Sequence, residues 1–416
     1  MAVLVAAVVS VVVYDLTPAF NLFDVPFYIL AGERLLHGGG LDCLRTPAYP
    51  LFLQLCGWLG NMNAVATLLQ SLLFVVSALA LHDTCRRLTR HWLTPLAVTM
   101  FYVVAPAAGW ANEMLTESLS VSLCVLLTNW VVRFLQRPSW LLAAVIALMA
   151  TLMTLLRPNF VAFLVLLPAL WAWQWAHTRE RLYAAALLLC LLPIGGQVAY
   201  NYAFYRQFGV FASNISPMSR DYYPLLRSGG WHPEAAAGQE ERAFVAYMDD
   251  AIAQGNPTYK PLYDYVTSTH DAAAPGRVLQ RMAAQHRHEL LRYRVRLVCS
   301  SAHEFMMPLT FNHTGLSAMV HVAAHFIAFP VLFLYHTVLL FAMALLVRWV
   351  RKRRLPVAAA FMCASVAAQV VGIALAGRDS FSRLLMPVLP VALLLWAIAL
   401  ERAAGYMAIL GVRPTP

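Results

Sequence analysis

The chain has 416 residues; 61% are apolar, only 12% are charged, and the mean hydropathy is +0.64. A soluble domain carries about 25% charge and roughly 45–50% apolar residues, so a water-soluble fold is excluded, and so is disorder, which needs low hydrophobicity and high charge. The net charge of +10 is nearly all arginine, since Lys260 and Lys352 are the only two lysines, and it falls in short separated clusters; this argues against a nucleic-acid surface and for a polytopic membrane protein.

In chain order, residues 2–13 are apolar but short. They lack the basic start and small-residue cleavage site of a signal peptide and are read as a first span, with an upstream start left open. Runs near the ~20 apolar residues that cross a bilayer follow at 64–82, 94–110, 113–135, 139–156, 158–176, 183–204, 318–347, 356–376 and 384–404, which makes ten spans. With ten spans, five basic groups fall on one side: Arg86, Arg87 and Arg90; Arg133 and Arg137; Arg179 and Arg181; Arg348 to Arg354; and Arg402. The positive-inside rule makes that side cytoplasmic, with both termini. The other side holds a first outer loop at 15–62, a long outer segment at 205–317, and shorter turns carrying Trp110 to Glu117, Arg157 to Asn159 and Gly377 to Arg383.

The expected architecture is therefore an all-α membrane protein, a bundle of about ten transmembrane helices with outer-face loops. Residues 1–204 form an N-terminal transmembrane module, 205–317 a small mixed, mainly helical outer domain, and 318–416 the C-terminal transmembrane helices. A bacterial inner membrane is the expected location. Most of the seven cysteines lie in apolar runs, where Cys behaves as a small hydrophobe. Cys43 and Cys299 are the outer ones, and sequence alone does not say whether they meet.

The first outer loop carries the chemistry. Asp24 precedes a predicted helix from about Pro26 to Leu36, ended by Gly38, Gly39 and Gly40. Arg45, Pro47, Tyr49 and Pro50 then form a stiff aromatic turn into an interfacial amphipathic helix, Leu51 to Leu59, too short to span. Two readings of Asp24 stand: a helix N-cap, or a carboxylate at a membrane-surface site, able to take a proton from an attacking hydroxyl. Asp15 and Asp42 are the competing acids of the loop.

Glu113 and Glu117 are four apart and are expected to share one helix face. Acids at the lip of a membrane helix are costly unless paired or wetted, and a favourable helix-dipole position is the other reading. Arg157, Arg378 and Arg383 lie on the outer side against the positive-inside bias. Each calls either for an ion pair with Asp379, Glu113 or Glu117, or for a phosphate, whose oxygens match the guanidinium fork.

Together these stretches resemble the GT-C membrane glycosyltransferases, in particular the protein O-mannosyltransferase-like and lipid A aminoarabinose transferase-like enzymes. The resemblance is carried by Asp24-x-Pro-x-Tyr28-x-x-Ala31 with Gly38 and Arg45-x-Pro47-x-Tyr49-Pro50; by Thr116-Glu117-Ser118-Leu119; by Asn201 with Phe208-Gly209 and Phe211-Ala-Ser213; and by Arg383 with Pro387 and Pro390. They run in family order from about residue 15 to 390. The resemblance implies a sugar donor carried on a polyprenyl phosphate and transfer with inversion on the extracytoplasmic face, to a glycan, lipid or protein acceptor that the sequence does not name. It implies Asp24 as the base toward the acceptor, Glu117 as a second acid holding acceptor, metal or arginine, and Tyr28, Arg45, Tyr49, Glu113, Arg157, Arg378 and Arg383 as substrate-binding residues. No cofactor follows from the sequence; a divalent metal is compatible with it and not required.

The alternatives are a transporter or flippase of lipid-linked glycans, which calls for broken helices and internal duplication, and a polysaccharide polymerase. His321 and His325, with His303 and His313, have a spacing open to a metal. Arg277, Arg281, Arg287 and their basic neighbours to Arg296 are read as a mostly solvated face, and His286 and His288 as a solvated segment.

Overall fold

The computed structural model describes residues 1–13, 24–41, 45–104, 113–210, 238–255, 259–300, 357–376 and 385–409. The span expected at 318–347, the basic group 348–354, Asp15, Asp42, Cys43, Arg378, Asp379, Arg383, residues 211–213 and the histidines 303, 313, 321 and 325 lie outside the described residues.

Among the described residues every regular element is helical. The helices are α1 (Ala2–Val13), α2 (Val25–Leu36), α3 (Ala48–Leu59), α4 (Met62–Leu88), α5 (Leu93–Val104), α6 (Thr116–Gln136), α7 (Trp140–Leu156), α8 (Phe163–Thr178) and α9 (Leu182–Tyr205). They continue as α10 (Gln239–Ala253), α11 (Tyr259–Thr269), α12 (Ala273–Gln285), α13 (Arg287–Ser300), α14 (Val357–Ala376) and α15 (Leu389–Ile409). By length and composition, four described stretches can cross a membrane: Met62–Leu88, Thr116–Gln136, Asn159–Ala176 and Leu182–Tyr205.

Apolar length makes these helices, and polar side chains inside them turn back on the chain. Thr84, Thr128, Thr151, Thr154 and Ser365 each donate to the carbonyl four residues earlier, so the hydroxyl is satisfied without water. The α4 start is capped by Asn61, whose side chain accepts from the Ala64 amide, and the α7 start by Ser139, which accepts from Leu142.

α6 is the centre: 72% of its apolar stretch is buried, against 44%, 33% and 28% for the other three. Those three turn apolar faces outward. On α4, Leu68, Leu72, Val76 and Leu79 form an exposed stripe at helical spacing, and on α9 Leu188 and Leu192 are exposed. Exposed leucine stripes of this kind are stable against hydrocarbon and costly in water.

One end of the bundle gathers the arginines. Arg87 donates to Gln136 (2.9 Å), joining the ends of α4 and α6. The Phe134 and Tyr183 rings meet edge-on at 5.4 Å, which brings in the start of α9 behind Arg181. Glu401 of α15 accepts the backbone N–H groups of Arg90 and His91. Thus four of the five basic groups, at residues 86–90, 133–137, 179–181 and 402, come to one end.

At the opposite end Tyr200 and Tyr205 of α9 hold the glycine-rich segment after α2. Tyr200 accepts from the Leu41 amide (3.1 Å) and Tyr205 donates to the Leu41 carbonyl (3.1 Å). Gly40 has φ +79° beside the Tyr200 hydroxyl, so a side chain there meets both strain and a clash. Asn201 is fully buried and donates to the Gly209 carbonyl (3.0 Å), closing the C-terminus of α9. Beyond it, α10 to α13 pack a second, smaller core around Phe244, Met248, Leu262, Val266, Leu279 and Met282, with Tyr205 included. The basic face expected here is partly consumed: Arg277 and Arg281 both pair with Glu241, which is buried. His286 is likewise engaged, with Glu289 at 2.8 Å.

Candidate functional site

The first loop folds close to expectation, with α2 beginning one residue before Pro26. Asp24 occupies the N-cap position, but its side chain makes no capping hydrogen bond, and its backbone is helical (φ −97°, ψ −39°). The N-cap reading is therefore corrected: the carboxylate turns to Arg45, whose Nη2 donates to Oδ1 at 2.9 Å. The same guanidinium donates from Nη1 to the Tyr28 hydroxyl (3.3 Å) and lies over the Tyr28 ring, 4.6 Å from its centroid. The Asp24 and Arg45 side chains are 26% and 17% exposed, so water reaches this pair.

A second correction concerns Tyr49 and Pro50. They are not an entering turn; α3 already begins at Ala48, with Pro47 at its N-cap, because proline is tolerated in a first helical turn where no amide partner is lost. This directs Tyr49 inward. Its ring meets Tyr28 edge-on at 4.9 Å, and its hydroxyl donates to Gln70 Oε1 at 3.1 Å. Gln70 Nε2 in turn donates to the Glu113 carbonyl at 2.8 Å. Burial pushes the Tyr49 phenol well above its usual range, with the charges of Tyr28, Glu117 and Glu113 adding to it. The phenol stays protonated and serves as a donor.

Glu113 and Glu117 do not share a helix face. α6 starts at Thr116; Leu115 is extended (φ −135°, ψ 160°) and its amide returns to the Glu113 carbonyl (2.8 Å), so Glu113 precedes the helix. Both acids are nonetheless buried. Glu117, in the first turn of α6, faces Arg157, the C-cap residue of α7, at 3.5 Å. Each charge stands at the helix end whose dipole favours it. Thr116 donates to the second Glu117 oxygen at 3.1 Å. The ion-pair reading of Arg157 is the one this geometry adopts, with side chains 8% and 1% exposed.

The two ion pairs are joined by chain and bond. Thr46, next to Arg45, donates to the carbonyl of Leu156, next to Arg157, at 3.0 Å. Seven of the nine candidate residues, Asp24, Tyr28, Arg45, Tyr49, Glu113, Glu117 and Arg157, thus meet at the end of the bundle opposite the arginine groups. Gln70 and Thr46 join the site without having been expected from the sequence. Gln70 had a signal, being a lone amide inside the apolar run of α4, where an unsatisfied polar group is costly. Thr46 had none. Phe208, which the resemblance includes, is 78% exposed.

Chemically the site has two layers. Asp24 is a carboxylate within reach of water, backed by a guanidinium. The Glu117–Arg157 pair is closed and fixes the junction of α6 and α7. Among the described residues no three His, Cys, Asp or Glu side chains gather as a metal would require. Compared with protein-family models, curated proteins and solved structures, the chain matches none.

Proposed function

We propose that this protein is an integral membrane glycosyltransferase of GT-C type, moving a sugar from a polyprenyl-phosphate donor to an acceptor on the extracytoplasmic face, with inversion. The observation that carries the proposal is the Asp24–Arg45 pair with Tyr28, a partly exposed carboxylate held by a cation at the end of an apolar bundle. In this reading Asp24 removes the proton of the acceptor hydroxyl. The freed oxygen attacks the anomeric carbon, and the bond to the lipid phosphate breaks on the opposite face of the sugar. Arg45 holds the Asp24 carboxylate and by resemblance belongs to the donor site, where a fixed cation lowers the barrier as the phosphate departs. Glu117 acts through Arg157, holding that guanidinium and the α6–α7 junction rather than touching the acceptor. Arg378 and Arg383 complete the donor site by resemblance.

The positive-inside rule, applied to the arginine end, makes the Asp24 end extracytoplasmic. The second reading, a transporter or flippase, calls for interrupted helices near the bilayer midplane; among the described residues, α8 and α9 run unbroken through Pro168 and Pro193. The test is reconstitution in proteoliposomes with a radiolabelled polyprenyl-phosphate sugar and a panel of glycan, lipid and peptide acceptors. Label transfer that disappears in Asp24→Asn supports the reading. Donor translocation without any transfer refutes it.

A further inference from the structure

The arginine end holds more positive charge than topology consumes. Its described part carries eight arginines, in the groups at residues 86–90, 133–137, 179–181 and 402, against three carboxylates, Asp83, Glu180 and Glu401. All three carboxylates are already engaged. Asp83 Oδ2 accepts from Arg87 (2.8 Å), Arg133 (3.0 Å) and Asn129 (3.0 Å), bracketing the ends of α4 and α6. Glu401 is taken by two backbone amides. Arg87 also reaches Gln136 (2.9 Å), so Arg86 and Arg137 each stand one residue along the chain from that bond. Both are exposed, and neither has a carboxylate partner among the described residues.

Aromatic side chains edge this cluster. Trp92 at the α5 start is 72% exposed, and Trp140, three residues after Arg137, is 48% exposed. Trp175, 47% exposed, lies 5.6 Å from the Arg179 guanidinium. Exposed tryptophans beside arginines, at the end of outward-facing leucine stripes, mark the level of lipid headgroups.

We propose that the α4–α6 end is a binding site for anionic phospholipid, with Arg86 and Arg137 holding the phosphodiester and Trp140 at the glycerol level. Asp83 aligns Arg87 and Arg133, so the cluster keeps its shape with or without the lipid. The ligand class is a headgroup of net negative charge; a zwitterionic headgroup lacks the net attraction, and free phosphate lacks the tails that partition it to this depth. This rests on the membrane reading of the bundle and is independent of the transferase reading.

The experiment uses the full-length protein in phosphatidylcholine nanodiscs titrated with short-chain phosphatidylglycerol, followed by tryptophan fluorescence and by native mass spectrometry of retained lipid. Each arginine removed is expected to weaken binding about fivefold, so Arg86→Gln with Arg137→Gln weakens it roughly 25-fold. Raised salt weakens the parent in the same direction. An Arg86→Lys, Arg137→Lys variant, which keeps charge and loses the bidentate fork, retains an intermediate affinity. The proposal is overturned if the parent binds phosphatidylcholine or inorganic phosphate as tightly as phosphatidylglycerol. It is also overturned if parent binding is indifferent to salt, a readout that stands even where the glutamine variant does not fold.

Discussion

Replacing Asp24 by asparagine keeps the side chain's shape and removes its charge, and the structure supplies the magnitude of each consequence. No helix cap is lost, because Asp24 makes no capping hydrogen bond. The ion pair to Arg45 is lost, and with side chains 26% and 17% exposed it is partly screened by water. Exposed pairs contribute about 0.2–1 kcal/mol, so the variant is expected to lose about 1 kcal/mol of stability at most. If Asp24 is the base, the rate falls roughly 10²–10⁴-fold. Transfer of labelled sugar in proteoliposomes, measured beside thermal unfolding, separates the two effects. A variant that unfolds near the parent temperature and transfers within a few fold of the parent rate refutes the role of Asp24. Glu117 would then be the next candidate base, and it would first have to leave Arg157.

Three further outcomes are expected. Arg45→Ala weakens donor binding by about 1.5–3 kcal/mol, the worth of a hydrogen bond to a charged group; titration with a non-transferable polyprenyl phosphate checks it, and unchanged affinity removes Arg45 from the donor site. Arg157→Gln leaves the Glu117 carboxylate, 1% exposed, without its cation, and is expected to destabilise the protein by about 3–5 kcal/mol, much of it recovered when Glu117→Leu and Arg157→Met are combined; thermal unfolding in detergent reads this directly. Cysteines placed at His37 and at Gln136, both exposed and at opposite ends of the bundle, are expected to react with an impermeant thiol reagent from opposite sides of the membrane, and labelling from one side contradicts the topology.

Local pattern carried the helices, because each is a run of neighbours in sequence whose backbone bonds close within the run. The α2 helix was legible from Pro26 and the glycines at 38–40, and appears as Val25–Leu36. The short apolar run before Gly60 was legible as a helix, and its start was misplaced, since Tyr49 and Pro50 join its first turn. The gathering of four arginine groups at one end was legible as well, because the groups recur along the chain between apolar runs.

The partners were decided by the tertiary structure. Asp24 and Arg45 are 21 residues apart, and Arg157 is paired with a glutamate 40 positions before it; no spacing rule within one helix joins them. The sequence left Asp24 between cap and carboxylate site because both begin with an acid ahead of a helix. Arg45, next to Thr46 bonded to the end of α7, gives that carboxylate a partner outside its own helix. Glu113 and Glu117 show the same limit. Their spacing of four fits one helical face, yet the extended Leu115 delays the helix to Thr116. Where a helix begins depends on which carbonyls and amides find other partners, and here Gln70, from a different helix, takes the Glu113 carbonyl.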